Sequence, residues 1–330
     1  MKSKQSLNLI LVLPFLLLSC KTSHPVDKTE ALNSIKILNA DIISFINRSS
    51  ELPGFKAIGF LLKQPSAPLP FQSDTSGSHG FRHDFSFTAE KGIYKWDTAK
   101  RVFVKAKDTS LILIRFPMPG RPGSECSFIL YEYETGKTRS KPVFPINIRA
   151  KLFTGNKEEL NISHRACISE GMISSISSKL NSDSLGFSFE MKREGSFSVK
   201  NGKLNSSLLI LEKGKEIMRA TLNVLIDYHP PLSYSVQKIS IEQKLFNTEL
   251  SGTIDYGSIN PSSDNYDQEF NKNTRLELSN SDDKGTIGNI VLSPDGNSGR
   301  FDYFIRLSDG SEYRLTDQIM VLKKLSGKTP

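Results

Sequence analysis

The chain has 330 residues, a net charge of +8 at neutral pH and 37% hydrophobic residues, which is enough for one large β domain or two smaller ones. Its 43 basic and 35 acidic residues are interspersed rather than gathered in a block, so the composition does not favour a nucleic-acid-binding protein. Three cysteines in so long a chain also exclude a disulfide-stapled scaffold.

The first twenty residues have the pattern of a secretory signal. Two lysines precede an almost unbroken apolar run over residues 7–18, and this run ends at the small residue Ser19. The run is too short to cross a hydrocarbon core, which requires about 20 helical residues, and Pro14 interrupts it. The sequence therefore predicts a signal peptide over residues 1–19.

The end of this segment, Leu17-Leu18-Ser19-Cys20, resembles the lipobox of bacterial lipoproteins. In that family the cysteine thiol is alkylated with a diacylglycerol, the leader is removed just before it, and the new amine is usually acylated, commonly with palmitate. The resemblance implies that Cys20 becomes the lipidated first residue of the mature chain. Several acyl chains on this residue would anchor a folded body to a membrane, since one chain alone binds only marginally.

The residue after the cysteine indicates the membrane to which such a lipoprotein is delivered. In lipoproteins of the Gram-negative type an Asp at that position favours retention in the inner membrane, whereas this chain has Lys21. The resemblance therefore implies delivery to the outer membrane of the cell envelope and leaves the membrane face open.

Residues 20–28 have no apolar period and are interpreted as a lipidated tether. Over residues 29–48 apolar side chains recur at helical spacing behind Thr29, a candidate N-cap, which predicts an N-terminal helix. The short apolar run over residues 55–62 is predicted to be a first buried strand, and residues 169–180 a short helix.

From residue 85 onward the hydrophobic period is close to two, which is typical of strands. Asp-Gly pairs between alternating runs near the end of the chain indicate hairpins. The predicted strands are residues 93–96, 102–104, 111–116, 128–133, 143–153, 187–191, 196–199, 208–211, 218–226, 234–245, 250–256, 287–292, 301–307 and 313–322.

These elements predict a mainly β protein. Antiparallel meander or hairpin sheets, arranged as a sandwich or a half-barrel, would be joined by one N-terminal helix. Residues 29–155 would form a helix plus a β-sheet half, and residues 156–330 a second β-rich half. One continuous domain is the alternative.

Candidate metal and acid–base residues are few. His79 and His83 adjoin Asp84 in a Gly-rich stretch, where the two rings would diverge, so a surface turn is favoured over a zinc site. Asp227 and His229 have the spacing of a general-base pair but no nucleophile beside them, so an exposed corner is favoured.

The remaining candidates are acidic loops, aromatic strands and the two later cysteines. The acidic loops lack the spacing of an EF-hand, so turn chemistry explains them better than Ca²⁺ binding; they contain Asp264, Asp267 and Glu269, and Asn280, Asp282 and Asp283. Core packing is favoured over sugar stacking for Tyr94, Trp96, Tyr131 and Tyr133. Cys126 and Cys167 either pair or remain free thiols.

The sequence thus indicates a membrane-anchored envelope lipoprotein that acts as a non-enzymatic binding or structural module. Apart from lipidation at Cys20, no catalytic, cofactor or metal residue is assigned. The expected partners are the membrane, through the lipid anchor, and an envelope protein, glycan or lipid of unknown identity. The alternative is a hydrolase acting on glycan or peptide with carboxylates from separate loops.

Overall fold

The structure is a computed structural model. It describes residues 24–73, 79–82, 84–139, 143–195, 201–229, 233–294 and 301–318. The signal peptide, Cys20, His83 and the strand predicted over residues 196–199 lie outside these ranges. Lipidation of Cys20 therefore stays a prediction.

The predicted N-terminal helix is confirmed, with one difference at its start. It begins at Lys28 because Asp27 is the N-cap: the Asp27 carboxylate accepts a hydrogen bond from the backbone N–H of Glu30 at 2.9 Å. Five α-helices occur in the described ranges: α1 (Lys28–Glu51), α2 (Pro53–Leu62), α3 (Phe87–Glu90), α4 (Tyr266–Lys272) and α5 (Leu315–Gln318).

The prediction of a strand over residues 55–62 is wrong, because this segment lies in helix α2. Pro53 occupies the first helical position, where its fixed φ suits a helix and its missing N–H costs nothing. Ala57 and Leu61, four residues apart, are both fully buried, so the apolar run covers one face of a helix.

Nineteen strands account for most of the described chain. They are β1 (His24–Pro25), β2 (Phe71–Ser73), β3 (His79–Phe81), β4 (Gly92–Asp97), β5 (Val102–Lys107), β6 (Ile112–Pro117), β7 (Glu125–Gly136), β8 (Phe144–Thr154), β9 (Lys157–Ser169), β10 (Met172–Asn181), β11 (Leu185–Glu194), β12 (Asn201–Glu212), β13 (Lys215–His229), β14 (Ser233–Leu245), β15 (Thr248–Asp255), β16 (Thr274–Asn280), β17 (Gly285–Pro294), β18 (Phe301–Arg306) and β19 (Glu312–Arg314). The predicted mainly β, antiparallel fold with an N-terminal helix is confirmed.

The described chain forms two compact units. The larger unit comprises residues 40–246 and 255–258, and the smaller one comprises residues 24–39, 247–254 and 259–318. The boundary between the two predicted halves, at residues 155 and 156, lies in the turn between β8 and β9, within the larger unit.

Eleven strands of the larger unit follow one another in the order β5-β4-β6-β7-β8-β9-β10-β11-β12-β13-β14. Neighbours are antiparallel except β4 and β6, which are parallel. The helix predicted over residues 169–180 is wrong, because β10 pairs along its length with both β9 and β11. Its Ser and Ile residues suit a pleated strand better than a helix.

Helix α2 and strands β6–β9 share the main core of the larger unit. The fully buried residues of this cluster include Leu61, Ile112, Ile114, Phe128, Leu130, Leu152 and Leu160. Helix and sheet approach closely at Gly54, where an added Cβ would lie 2.6 Å from Leu160 Cγ. Only glycine fits there without displacing a neighbour.

The smaller unit is an antiparallel meander of β15 to β19, with β1 parallel to the start of β17. Helix α4 is fixed to β17 by Asn271, whose side-chain amide bonds the backbone N–H and C=O of Leu292, both at 2.7 Å. The strand predicted over residues 313–322 is only partly correct, since β19 ends at Arg314 and α5 follows. Within the described ranges, no helix combines the length and apolar character needed to cross a membrane.

Candidate functional site

Strands β10 to β14 of the larger unit have one apolar and one polar face. Residues paired in the strand register point to the same side, and alternate residues point to opposite sides. The side that we call the apolar face carries three main cross-strand rows: Ile176–Met191–Ser206–Leu222–Ile241, Leu180–Phe187–Ile210–Met218–Leu245 and Ser178–Phe189–Leu208–Ala220–Gln243.

The opposite side, which we call the polar face, carries mainly serine, asparagine and charged residues. Its rows are Ser175–Lys192–Asn205–Asn223–Ser240, Ser177–Glu190–Ser207–Thr221–Glu242 and Lys179–Ser188–Leu209–Arg219–Lys244. The five strands therefore have the clean alternation of a sheet with one side in water.

The apolar face is only half-buried. The side chains of Phe187, Phe189, Met191, Leu208 and Leu222 all have intermediate exposure, whereas the same kind of residue beneath α2 is fully buried. Large apolar surfaces that remain accessible on a folded protein usually mark a place where something binds.

Helices reach one end of this face. Phe55 of α2 contacts Phe187 edge-to-face, with ring centroids 6.2 Å apart. In α1, the Arg48 guanidinium forms a two-pronged ion pair with Glu212 at 2.9 and 3.0 Å. Glu212, at the end of β12, is a charged residue on the apolar face, and Arg48 neutralises it.

A second charged residue, Arg193, stands at the other end of the apolar face. Along β11 every second residue points to the apolar face, and Arg193 follows Phe187, Phe189 and Met191 in this series. On the neighbouring strand it pairs in register with Leu204. Its guanidinium donates to four neutral oxygens: the carbonyls of Ile173, Gly195 and Ser169 and the hydroxyl of Tyr228.

The ring of Tyr228 packs closely against two glycines. Its ring lies over Gly202, where an added Cβ would be 2.4 Å from Tyr228 Cε2, and it also lies 3.5 Å from the position of a Cβ on Gly195. Val224 and Ile226 are buried beside it. This arrangement fixes the Tyr228 hydroxyl next to Arg193.

A pocket of about 600 Å³ opens at the same strand ends. Its polar lining consists of Glu194, Asn201, Lys203, Asp227 and Gln237. By register Glu194 and Lys203 are neighbours on the polar face, as are Asn201 and Asp227. Leu225, Ile226 and two glycines complete the lining, so the pocket is mixed in character and indicates no particular ligand class.

The structure places both acid–base candidates near the end of strand β13. Asp227 lines the pocket described above, and His229 Nε2 lies 2.9 Å from Ser235 Oγ. His79 lies in the short strand β3, and its partner His83 is outside the described residues. Among the residues that the structure describes, no three His, Cys, Asp or Glu side chains are grouped to hold a metal ion.

Turn chemistry is confirmed for the loop that contains Asn280, Asp282 and Asp283, whereas Asp267 and Glu269 of the other segment lie in helix α4. Asn280 Oδ1 accepts from the backbone N–H of Asp282 at 3.2 Å, and Asp283 Oδ1 accepts from that of Gly285 at 2.8 Å. These contacts are Asx turns, which stabilise the loop through its own backbone.

Core packing of the aromatic strand residues is confirmed for Tyr94, Trp96 and Tyr133. The same prediction is wrong for Tyr131, which is exposed. Trp96 shows the packing most clearly. Its indole packs edge-to-face against Phe60 and Phe103, with centroid distances of 5.2 and 5.0 Å. Burial raises the pKa of the Tyr94 hydroxyl, which also donates to the backbone carbonyl of Glu90 at 2.9 Å.

The two later cysteines are free thiols. Cys126 is buried, which raises the pKa of its thiol, and its sulfur lies 3.2 Å from Met118 Sδ. Cys167 is exposed on β9. The structure therefore supports the unpaired alternative.

Sequence reasoning missed the apolar face and Arg193. The signal was present: residues 187, 189 and 191 are apolar at alternate positions, and Arg193 is the next residue of the same parity. A cation that continues an apolar alternation is placed by the strand on the apolar side.

Comparison with protein-family models, with curated proteins and with solved structures finds no match to this chain.

Proposed function

We propose that this chain is a lipid-anchored protein of the bacterial cell envelope and a non-enzymatic binding module. Its ligand is the acyl part of membrane lipid, and the binding surface is the apolar face of β10–β14. The observation that carries the proposal is the half-burial of that face, where Phe189, Met191 and Leu208 retain access to solvent.

The dimensions of the face suit an acyl chain. Because neighbouring strands are about 4.8 Å apart, a row that crosses five strands is about 19 Å long. The acyl region of one leaflet is about 15 Å thick, half of a hydrocarbon core of about 30 Å. A chain lying along one row would therefore be covered by side chains over its whole length.

The chemistry of the face also favours hydrocarbon over a polar ligand. Between Glu212, which is neutralised by Arg48, and Arg193, the rows contain apolar residues with a few neutral serines and one glutamine. Each methylene group buried there would contribute roughly 0.8 kcal/mol.

The predicted anchor supports the same ligand class. Acyl chains on Cys20 would keep the body at a bilayer surface, where lipid is the most abundant apolar partner. Mass spectrometry of the mature N-terminus tests this part of the proposal. We expect a diacylglycerol-modified Cys20 as first residue; an unmodified cysteine or cleavage at another bond would refute the anchor.

Photolabelling tests the binding surface. The full lipidated chain is placed in phospholipid vesicles whose acyl chains carry a diazirine, and the adducts are mapped by peptide mass spectrometry after irradiation. We expect adducts at Phe189 and Leu208 on the apolar face and none at Glu190 and Ser207, their neighbours on the polar face.

A matched pair of variants provides the control. Leu208→Asp places a charge on the apolar face and should reduce labelling there by at least tenfold, since a buried unpaired charge is strongly unfavourable. Ser207→Asp places the same charge on the polar face and should leave labelling unchanged. Equal labelling of both faces, or equal effects of the two variants, would refute the proposal.

A further inference from the structure

The two charged residues of the apolar face differ in their partners. Glu212 at one end is neutralised by Arg48. Among the described residues, no carboxylate lies within ion-pair distance of Arg193, at the other end. Other arginines of the larger unit do hold carboxylates, as in the pairs Arg149–Glu132 and Arg219–Glu216.

The neutral contacts of Arg193 are also long. Its four hydrogen bonds measure 3.2, 3.3, 3.4 and 3.2 Å, whereas a cation bound to a carboxylate typically lies at about 2.7–2.9 Å. Within the part of the chain that the structure describes, the acceptors of this half-buried guanidinium are neutral and distant, so no carboxylate there neutralises its positive charge. An anion at this position would form shorter, charge-assisted hydrogen bonds.

We propose that Arg193 binds the phosphate of a phospholipid whose acyl chains lie along the apolar face. This inference rests on the proposed function, because it places the head group of the ligand at the end of the surface that takes the tails. Four of the five guanidinium N–H groups already donate to protein oxygens. A phosphate oxygen would accept from the remaining N–H of Nη2 in a charge-assisted hydrogen bond.

The geometry explains why the head group belongs at this end. Leu204, which pairs with Arg193 in register, begins the row Leu204–Val224–Ile239. Val224 in this row is buried, whereas Met191, Ser206 and Leu222 in the neighbouring row are half-exposed. Tails from a phosphate at Arg193 would therefore extend across the strands over that neighbouring row. At the opposite end the Arg48–Glu212 pair offers no uncompensated cation.

The test compares two probes with identical diazirine-bearing acyl chains, phosphatidylglycerol and diacylglycerol. Each is added at the same low concentration to the full lipidated chain in dodecyl maltoside micelles, which contain no phosphate. We expect phosphatidylglycerol to label the apolar face about tenfold more strongly than diacylglycerol, the ratio that one charge-assisted hydrogen bond supports.

Variants assign the preference to Arg193. Arg193→Gln should reduce phosphatidylglycerol labelling to the diacylglycerol level and leave diacylglycerol labelling unchanged. Arg193→Lys keeps the positive charge but replaces the planar guanidinium with an ammonium group, so it should retain part of the preference for phosphatidylglycerol over diacylglycerol. Lys192→Gln removes a neighbouring charge from the polar face and should have no effect. Thermal unfolding of each variant shows that its fold is retained.

The outcomes separate this inference from the proposed function. Equal labelling by the two probes in the wild-type chain would overturn the role of Arg193 and leave acyl binding intact. A loss of labelling with both probes in Arg193→Gln would also overturn it, because that result indicates a purely structural role. If neither probe labels the wild-type apolar face, the proposed function itself fails.

Discussion

Strands β6–β9 and β10–β14 belong to the same sheet of the larger unit and carry the same alternation of apolar and polar residues. Their apolar side chains nevertheless differ in burial: Phe128 and Leu130 are fully buried in the core shared with α2, whereas Phe189 and Leu208 are half-exposed. The difference shows that a strand pattern specifies which side is apolar, while the covering element decides whether that side becomes core or accessible surface.

The largest expected effect comes from truncating one phenylalanine in each region. Phe128→Ala should lower the free energy of unfolding by about 3–5 kcal/mol, because it removes a fully buried ring and leaves a cavity. Phe189→Ala should cost clearly less, under about 2 kcal/mol, since its ring is already partly hydrated. Urea denaturation measures both, and equal losses would show that the two regions are equally well packed.

An intermediate effect is expected from two glycines of α2. Gly54→Ala should destabilise the protein by about 1–3 kcal/mol, because the new Cβ would lie 2.6 Å from Leu160 Cγ. Gly59→Ala in the same helix has nothing within 4 Å of its Cβ and should stabilise by about 0.5–1 kcal/mol. The opposite signs in thermal unfolding would confirm the close approach of α2; equal signs would contradict it.

The smallest effect concerns a polar group in the covered region. The Tyr133 hydroxyl is buried with no hydrogen-bond partner among the described residues, and burial raises its pKa. The folded state therefore holds this proton more tightly than the unfolded chain, where tyrosine titrates near 10. The stability that the group contributes is complete below about pH 10 and is lost as the pH rises above that value.

Tyr133→Phe should accordingly flatten the decline of stability above pH 10 and leave stability at neutral pH unchanged or slightly higher, because an unsatisfied hydroxyl is removed. Tyr131→Phe is the control, since Tyr131 lies on the same strand and is 39% exposed. Denaturation curves between pH 8 and about 11 provide the measurement. An alkaline decline as steep in Tyr133→Phe as in the wild-type chain would argue against a buried hydroxyl.

The errors of sequence reasoning fall on segments whose pattern suits two structures. The run in α2 is short and apolar, so periodicity alone does not distinguish a buried strand from a helix. Pro53 was the missed signal, since proline is favoured at the first position of a helix. Residues 172–181 became a strand because both neighbouring strands pair with them, a long-range contact that local spacing does not report.

The candidate site was less accessible to prediction than the fold. Alternation along β11 places Phe189 and Arg193 on one side, but it does not show which residues of β12 and β13 stand beside them. Arg193 pairs with Leu204 only through the register of two strands, and it contacts Tyr228, which lies 35 positions away in the sequence. The predicted lipidation of Cys20, in contrast, follows from local sequence alone.

The amino-acid sequence by itself determined the alternation that makes this a mainly antiparallel β protein, the N-terminal helix and the hairpin turns, because these depend on neighbouring residues. Only the tertiary structure decided that α2 covers β6–β9, that the apolar side of β10–β14 remains half-exposed and that Arg193 has no carboxylate partner within the described ranges. Burial and charge pairing depend on residues brought together from distant positions, and local sequence carries no record of those distances.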